Sequence, residues 1–238
     1  MRLAGILQGR LVNKVGLRLA CEEWVELNMH TADVYLSARQ WTYITCAMGT
    51  CAIVWTNKGV CRFVLPLSSE AQVRAVIDQR EPSAIFVDDT NKLPPWLRTV
   101  IEDVQAHLSG TKRSFLDVPV DVAWADGFVA QIYAACRQIA AGEVLTYGEL
   151  ADKLGQPGAA RAVGAAMGRN PVPLIIPCHR VVAAGGKTGG FSAPGGAQTK
   201  VALLALEGVD LTQRQQPARG SKAAAWQLAQ LAGQSSLF

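Results

Sequence analysis

Residues 146–182 read TYGELADKLGQPGAARAVGAAMGRNPVPLIIPCHRVV, and their punctuation decides the architecture of the second half of the chain. Thr146 and Glu149 form the T-x-x-E of a capping box, which starts a short helix that Gly155 should end. Gln156, Pro157 and Gly158 supply a turn. A second helix is predicted over 159–168, burying Val163, Ala166 and Met167 and turning Arg161, Ala165 and Gly168 outward. Two short helices joined by a glycine-containing turn predict a helix-turn-helix. The stretch ends on Ile176, Pro177, Cys178, His179, Arg180 and Val181, which set a thiol against an imidazole between apolar runs. A free cysteine among apolar residues is ordinarily a small packing side chain. A neighbouring His that takes its proton, directly or through one water, turns it into a nucleophile.

The outer face of the second helix carries one arginine and small residues: Ala162, Gly164, Ala165 and Gly168. A major-groove reader usually offers Asn, Gln or several Arg to base edges, whereas small residues let the helix backbone approach a narrow surface. The face therefore suits the minor groove and shape-led, sequence-tolerant binding.

Taken whole, residues 146–182 resemble the O6-alkylguanine-DNA alkyltransferase family, the methylated-DNA–protein-cysteine methyltransferases, and the likeness extends from Phe128 to about Gly208. It implies repair by direct reversal. A flipped-out O6-alkylguanine, and conceivably O4-alkylthymine, would lose its alkyl group irreversibly to Cys178, once per molecule. His179 is expected to deprotonate Cys178 through water, and Glu207, in LLALEG, to orient and charge-stabilise His179. Arg161 would fill the gap in the base stack. Tyr147 would assist rotation of the phosphate and donate to guanine N3, and Asn170 would tie the helix-turn-helix to the cysteine turn. Pro173 should line the pocket, with the carbonyls of Cys178 and Val181 accepting from the guanine amine. Arg180 is read as a structural ion-pair partner. Residues 185–196, two longer than in shorter relatives, should form a lid that admits larger alkyl groups. Ser192 would place a backbone N–H on O6, with Phe191, Ser192 and Ala193 unranked among themselves.

The implied fold class is α/β: a small ribonuclease-H-like domain over 40–121, then a mostly helical, winged-helix-like domain over 122–210. Residues 1–39 read as an extension of unassigned role, and 211–238 as a linker and tail. Half of the 238 residues are apolar, which is enough for a proper core. No apolar run reaches the length of a membrane span and LAGILQG is too short for a signal peptide, so a cytoplasmic, nucleoid-associated location is expected. The six cysteines show no C-x-x-C, and with three histidines they offer no common zinc spacing, so neither metal nor cofactor is expected. Residues 1–127 hold 13 basic and 14 acidic side chains and residues 128–238 hold 10 and 5, so a polyanion would meet the second half first.

In the first half, TYITCAMGT, CAIVWTNKG and VCRFVLPL predict strands with a hairpin turn at Asn57, Lys58 and Gly59. A helix at 69–78, a strand at 84–87, a helix at 95–108 and an extended SFLDVPVDV follow. From Phe128 the period turns helical, with Phe128, Ile132, Ala135, Cys136 and Ile139 on one stripe, so Cys136 is core. The final QSSLF is similar to the pentapeptide by which bacterial repair proteins dock on the DNA sliding clamp, through Gln234, Leu237 and Phe238. A monomer is the default. Three other functions remain open: a non-enzymatic lesion-binding relative, which would lack the reactive cysteine; a helix-turn-helix regulator; and a cysteine hydrolase, which would need an oxyanion site.

Overall fold

A computed structural model describes residues 38–125 and 127–211. The extension up to residue 37 and the tail from residue 212, with Gln234, Leu237 and Phe238, lie outside the described residues.

The β-branched and aromatic runs of the first half build a four-stranded sheet, ordered β3-β2-β1-β4, from β1 (Gln40–Cys46), β2 (Gly49–Thr56), β3 (Gly59–Leu67) and the two-residue β4 (Ile85–Phe86). The first three strands run antiparallel, and β4 lies parallel to β1. The predicted turn at Asn57 and Lys58 forms, but 42–50 is not one strand: the chain reverses at Ala47 and Met48. Gly49 makes that reversal possible. Its φ is +129°, and a Cβ there would sit 2.3 Å from the Leu67 carbonyl oxygen, so a larger residue would also push β2 away from the end of β3.

Helix α1 (Glu70–Arg80), capped by the Ser69 side chain, covers one face of the sheet, packing Val73 and Ile77 on Trp41, Ala52, Val54 and Val64. Helix α2 (Pro95–Leu108) covers the other. Its stripe of Leu97, Val100, Val104 and Leu108 joins Ile44, Ile53, Trp55 and Phe63 in a core that continues into the second half through Ile132, Leu150, Val163, Ile176 and Cys178. Each such fully buried aliphatic side chain contributes about 1.5–3 kcal/mol, so the two halves are bound by one apolar interior.

The predicted extended connection contains a turn at Leu116 and Asp117 and is held from both sides. The Val60 N–H donates to the Pro119 carbonyl at 2.8 Å, and the Arg137 guanidinium donates to the carbonyls of Phe115, Leu116 and Val118 at 2.8, 2.6 and 2.7 Å. Helix α3 (Gly127–Arg137) buries Ile132, Ala135 and Cys136 as its stripe requires, with Ile139 buried just past its end. Helices α4 (Tyr147–Lys153) and α5 (Ala160–Gly168) follow, and α6 (Gly196–Leu206) closes the described chain. The capping box forms in full: the Glu149 N–H donates to the Thr146 hydroxyl at 3.1 Å and the Thr146 N–H to the Glu149 carboxylate at 2.6 Å. Gly155, at φ +69°, follows the end of α4 as expected. No helix among the described residues is long and apolar enough to cross a membrane.

Candidate active site

A two-residue parallel ladder organises the site. Strand β5 (Leu145–Thr146) pairs in parallel with β6 (Val181–Val182), which directly follows the turn that carries Cys178, while Tyr147 follows β5 at the far end of the ladder. Pro177, at φ −79° and ψ 64°, makes an inverse γ-turn in which the Cys178 N–H donates to the Ile176 carbonyl at 2.7 Å. A short 3-10 turn, Cys178–Arg180, then points three chemically active side chains inward. Asn170 braces this turn: its amide donates to the Ile176 carbonyl at 2.8 Å while its carbonyl accepts the Val172 N–H at 3.0 Å. The fully buried Leu174 adopts φ +76°, a left-handed conformation that costs a non-glycine residue about 1–2 kcal/mol. Strain is thus stored four residues ahead of the thiol.

Glu207, one residue past α6 and 1 % exposed, is the hub of the interior polar groups. Its Oε1 accepts from His179 Nε2 at 2.9 Å, from His107 Nε2 at 3.0 Å and from the Arg180 guanidinium at 2.7 Å. Its Oε2 accepts from Arg180 Nε at 3.1 Å and the Gly142 N–H at 3.3 Å. Burial would raise the Glu207 carboxyl, but these donors hold it well below the usual carboxylate range. Arg180 spends another N–H on the Ile139 carbonyl at 2.6 Å, in keeping with a structural ion pair.

With Glu207 ionised, His179 must carry its proton on Nε2, which leaves Nδ1 as the basic atom. That atom is buried and has no partner among the described residues. Burial, above all, pulls the His179 imidazole below its ordinary value, so it rests neutral.

Cys178 is 5 % exposed, and burial pushes its thiol up. The Asn170 amide, the Lys200 ammonium and the backbone N–H groups of Cys178 and His179 pull it back. Lys200 is a residue that the sequence reading passed over. It is fully buried, donates to the Val181 carbonyl at 2.6 Å, and sits 5.6 Å and 5.9 Å from the ring centres of Tyr147 and Phe191. Burial brings it down to about 8, so it is still largely charged at neutral pH. The other missed member is His107, brought from α2. A common signal marks both. Lys200 shares the stripe of Leu203, Leu204 and Glu207, as His107 shares that of Val100 and Val104, and an ionisable residue on a buried stripe needs a partner.

The remaining expected residues lie on α4, on α5 and in the loops that follow α5. Tyr147 is half-buried, its ring lies against Gly189 and Gly164, and its hydroxyl is 3.4 Å from the Gly190 carbonyl. Burial, and then Cys178, raise its phenol, so it stays a donor. Arg161, Ala162, Ala165 and Gly168 are exposed along one side of α5, while Val163, Ala166 and Met167 are buried. Pro173 is partly buried and pairs with Ile176. In the loop before α6, Phe191 and Ala193 pack on the core, whereas Ser192 is exposed and its hydroxyl donates to the Gly168 carbonyl at 2.9 Å. The Val181 carbonyl expected to face guanine already accepts from Lys200, and its second lone pair remains for another donor.

Residues 127–209 match the family model described as the DNA-binding domain of 6-O-methylguanine DNA methyltransferase. The methylated-DNA–protein-cysteine methyltransferase of Mycobacterium bovis is 45 % identical over 107 residues, which are 45 % of this chain and 62 % of that protein. The chain thus spans less than two thirds of that curated relative. The crystal structure of the Mycobacterium tuberculosis O6-methylguanine methyltransferase superposes with a TM-score of 0.54 at 31 % identity, covering 76 % of this chain and 96 % of that one. A solved M. tuberculosis structure in complex with DNA matches with a TM-score of 0.54 at 30 % identity, covering 75 % and 96 %. On this agreement between a cysteine–histidine–glutamate interior and solved structures covered over 96 % of their length, the chain belongs to the O6-alkylguanine-DNA alkyltransferase family, the methylated-DNA–protein-cysteine methyltransferases.

Proposed function

We propose that this protein repairs DNA by direct reversal, taking the alkyl group from O6-alkylguanine onto Cys178 in a single irreversible turnover. The observation that carries the reading is a buried thiol next in sequence to a neutral imidazole whose Nε2–H is held by an ionised Glu207, with the buried Lys200 ammonium close enough to pull the thiol down. The Cys178 proton passes through one water to His179 Nδ1, and the imidazolium so formed is stabilised by Glu207. The sulfur attacks the alkyl carbon in line, the carbon–O6 bond breaks, and its electron pair stays on the purine. Tyr147 donates to guanine N3 as that charge develops. The net proton moves from cysteine to guanine, and a thioether remains that no group of the site can cleave. Lys200 stabilises the transient thiolate, as a cation in a dry interior acts on a nearby anion more strongly than one in water.

Duplex DNA is the substrate in this reading, because the alkylated base must leave the stack to meet a sulfur only 5 % exposed. Helices α4 and α5 act as a helix-turn-helix. The small residues Ala162 and Gly164 bring α5 close to the minor groove, and Arg161 fills the vacated stack. The segment over 185–196 moves aside as the base enters, Pro173 lines the pocket, and the Ser192 N–H meets O6. In domain terms we read 40–121 as the ribonuclease-H-like unit and 122–210 as the winged-helix-like unit. The test is single-turnover incubation with a duplex holding one O6-methylguanine. Guanine should be restored in amount equal to the protein added and no more; repeated turnover, or a lesion left intact, would overturn the reading.

A further inference from the structure

A side chain from the first half of the chain hydrogen-bonds the carboxylate at the hub of the reaction centre. His107 lies on the buried stripe of α2, is 2 % exposed, and shares Glu207 Oε1 with His179 across 100 residues of sequence. Its protonation pattern follows from its two contacts. Nδ1 accepts the Arg113 backbone N–H at 3.1 Å, and an amide N–H can only donate, so Nδ1 carries a lone pair. The proton is therefore on Nε2 and is given to Glu207. Beyond Glu207, the groups facing this imidazole are His179 and Arg180 on the same carboxylate and the Phe115 ring, its centre 5.4 Å away. The Arg113 side chain turns away to Asp103 at 3.4 Å.

We infer that His107 is a positioning residue of the alkyl-transfer site, fixed as a neutral donor by the Arg113 N–H and tempering the hold of Glu207 on the His179 proton. This rests on the alkyl-transfer reading and deepens it. A carboxylate oxygen that serves one imidazole concentrates its charge there and favours the imidazolium. The same oxygen shared with a second donor binds that proton less tightly, and its position is pinned from the opposite side. His179 must be neutral at rest to accept a proton from Cys178, so the second donor widens the pH range over which the base is available. Sharing also explains how a hub accepting from two imidazoles and a guanidinium stays centred: donors from α2, from the cysteine turn and from the Gly142 amide surround it.

The experiment compares wild type, His107→Phe and His107→Gln in single-turnover alkyl transfer from a saturating duplex between about pH 5 and 9, the span in which an imidazole base titrates. Loss of the donor should move the acid limb upward by about half to one pH unit, lowering the rate about three- to tenfold well down that limb and hardly at all near pH 8. The Gln amide donates from the place of Nε2 and should restore the limb. An unmoved limb in His107→Phe, with only a uniform fall in rate, would overturn the proposal. Long-range proton–nitrogen NMR of wild-type protein labelled in histidine gives a second test that needs no variant to fold. His107 should show an unprotonated Nδ1 and a protonated Nε2, and the reverse tautomer would overturn it as well. Wild-type protein that transfers no alkyl group at all would instead refute the alkyl-transfer reading, while the tautomer would still be read independently.

Discussion

Two cysteines in the second half of the molecule occupy nearly the same degree of burial and opposite chemical settings. Cys136, on α3, is fully buried within the apolar core, and burial above all pushes its thiol well above the ordinary value. Cys178, 5 % exposed, suffers the same burial; the Lys200 ammonium acts on both thiols, but at Cys178 the Asn170 amide and two backbone N–H groups oppose burial as well. Burial by itself silences a thiol. In the proposed function, what makes one sulfur reactive is a lining that can hold negative charge and a base that can take the proton away, and the hydrogen bond from His179 to Glu207 would support that base.

Replacement of the sulfur at one site and not the other breaks the comparison most severely. Cys178→Ser should lose transfer by about a thousandfold or more, because a hydroxyl is a far weaker nucleophile in the same place; single-turnover rates on a methylated duplex measure this. Next comes the hub. Glu207→Gln leaves the Arg180 guanidinium without its counter-charge in the interior, which should cost about 3–5 kcal/mol in denaturant unfolding and slow transfer at least a hundredfold. Lys200→Met keeps the length of the side chain and removes its charge, and should slow transfer about tenfold at neutral pH. The pH dependence sharpens that test. In wild type the ammonium is lost as pH rises through about 8, so the thiolate loses its counter-ion and the rate should turn down there; in Lys200→Met that turn should vanish. Thr146→Ala removes the cap that sets Tyr147 at the first turn of α4 and should cost about 1 kcal/mol in thermal unfolding. Cys136→Ala should leave the transfer rate within about twofold of wild type, the smallest change of the series.

The legibility of the sequence follows the same division. Around Cys178 nearly every element could be read beforehand: the capping box, the break at Gly155, the two helices and the inward Pro-Cys-His turn are local, so spacing alone reveals them. Glu207 was legible only through the family pattern, since its partners come from elsewhere in the chain. His107 and Lys200 escaped because their roles arise from contacts 100 and 19 residues away, to Glu207 and to the Val181 carbonyl, and a stripe reports burial without naming the partner. In the first half the strands were visible from their apolar pattern, but the reversal at Ala47 and Met48 lacks Asn or Pro, and only Gly49 hinted at it. The turn inside the connecting segment was hidden too, as the Arg137 guanidinium from α3 holds its carbonyls.

In the proposed reaction the alkyl group goes to the Cys178 sulfur and to no other. Protein incubated with an O6-methylguanine duplex, digested and mapped by mass spectrometry, should carry one added methyl group, on the peptide that contains Cys178. A methyl group on Cys136, Cys61 or Cys51 instead, or lesion lost from the DNA with every thiol unmodified, would contradict it.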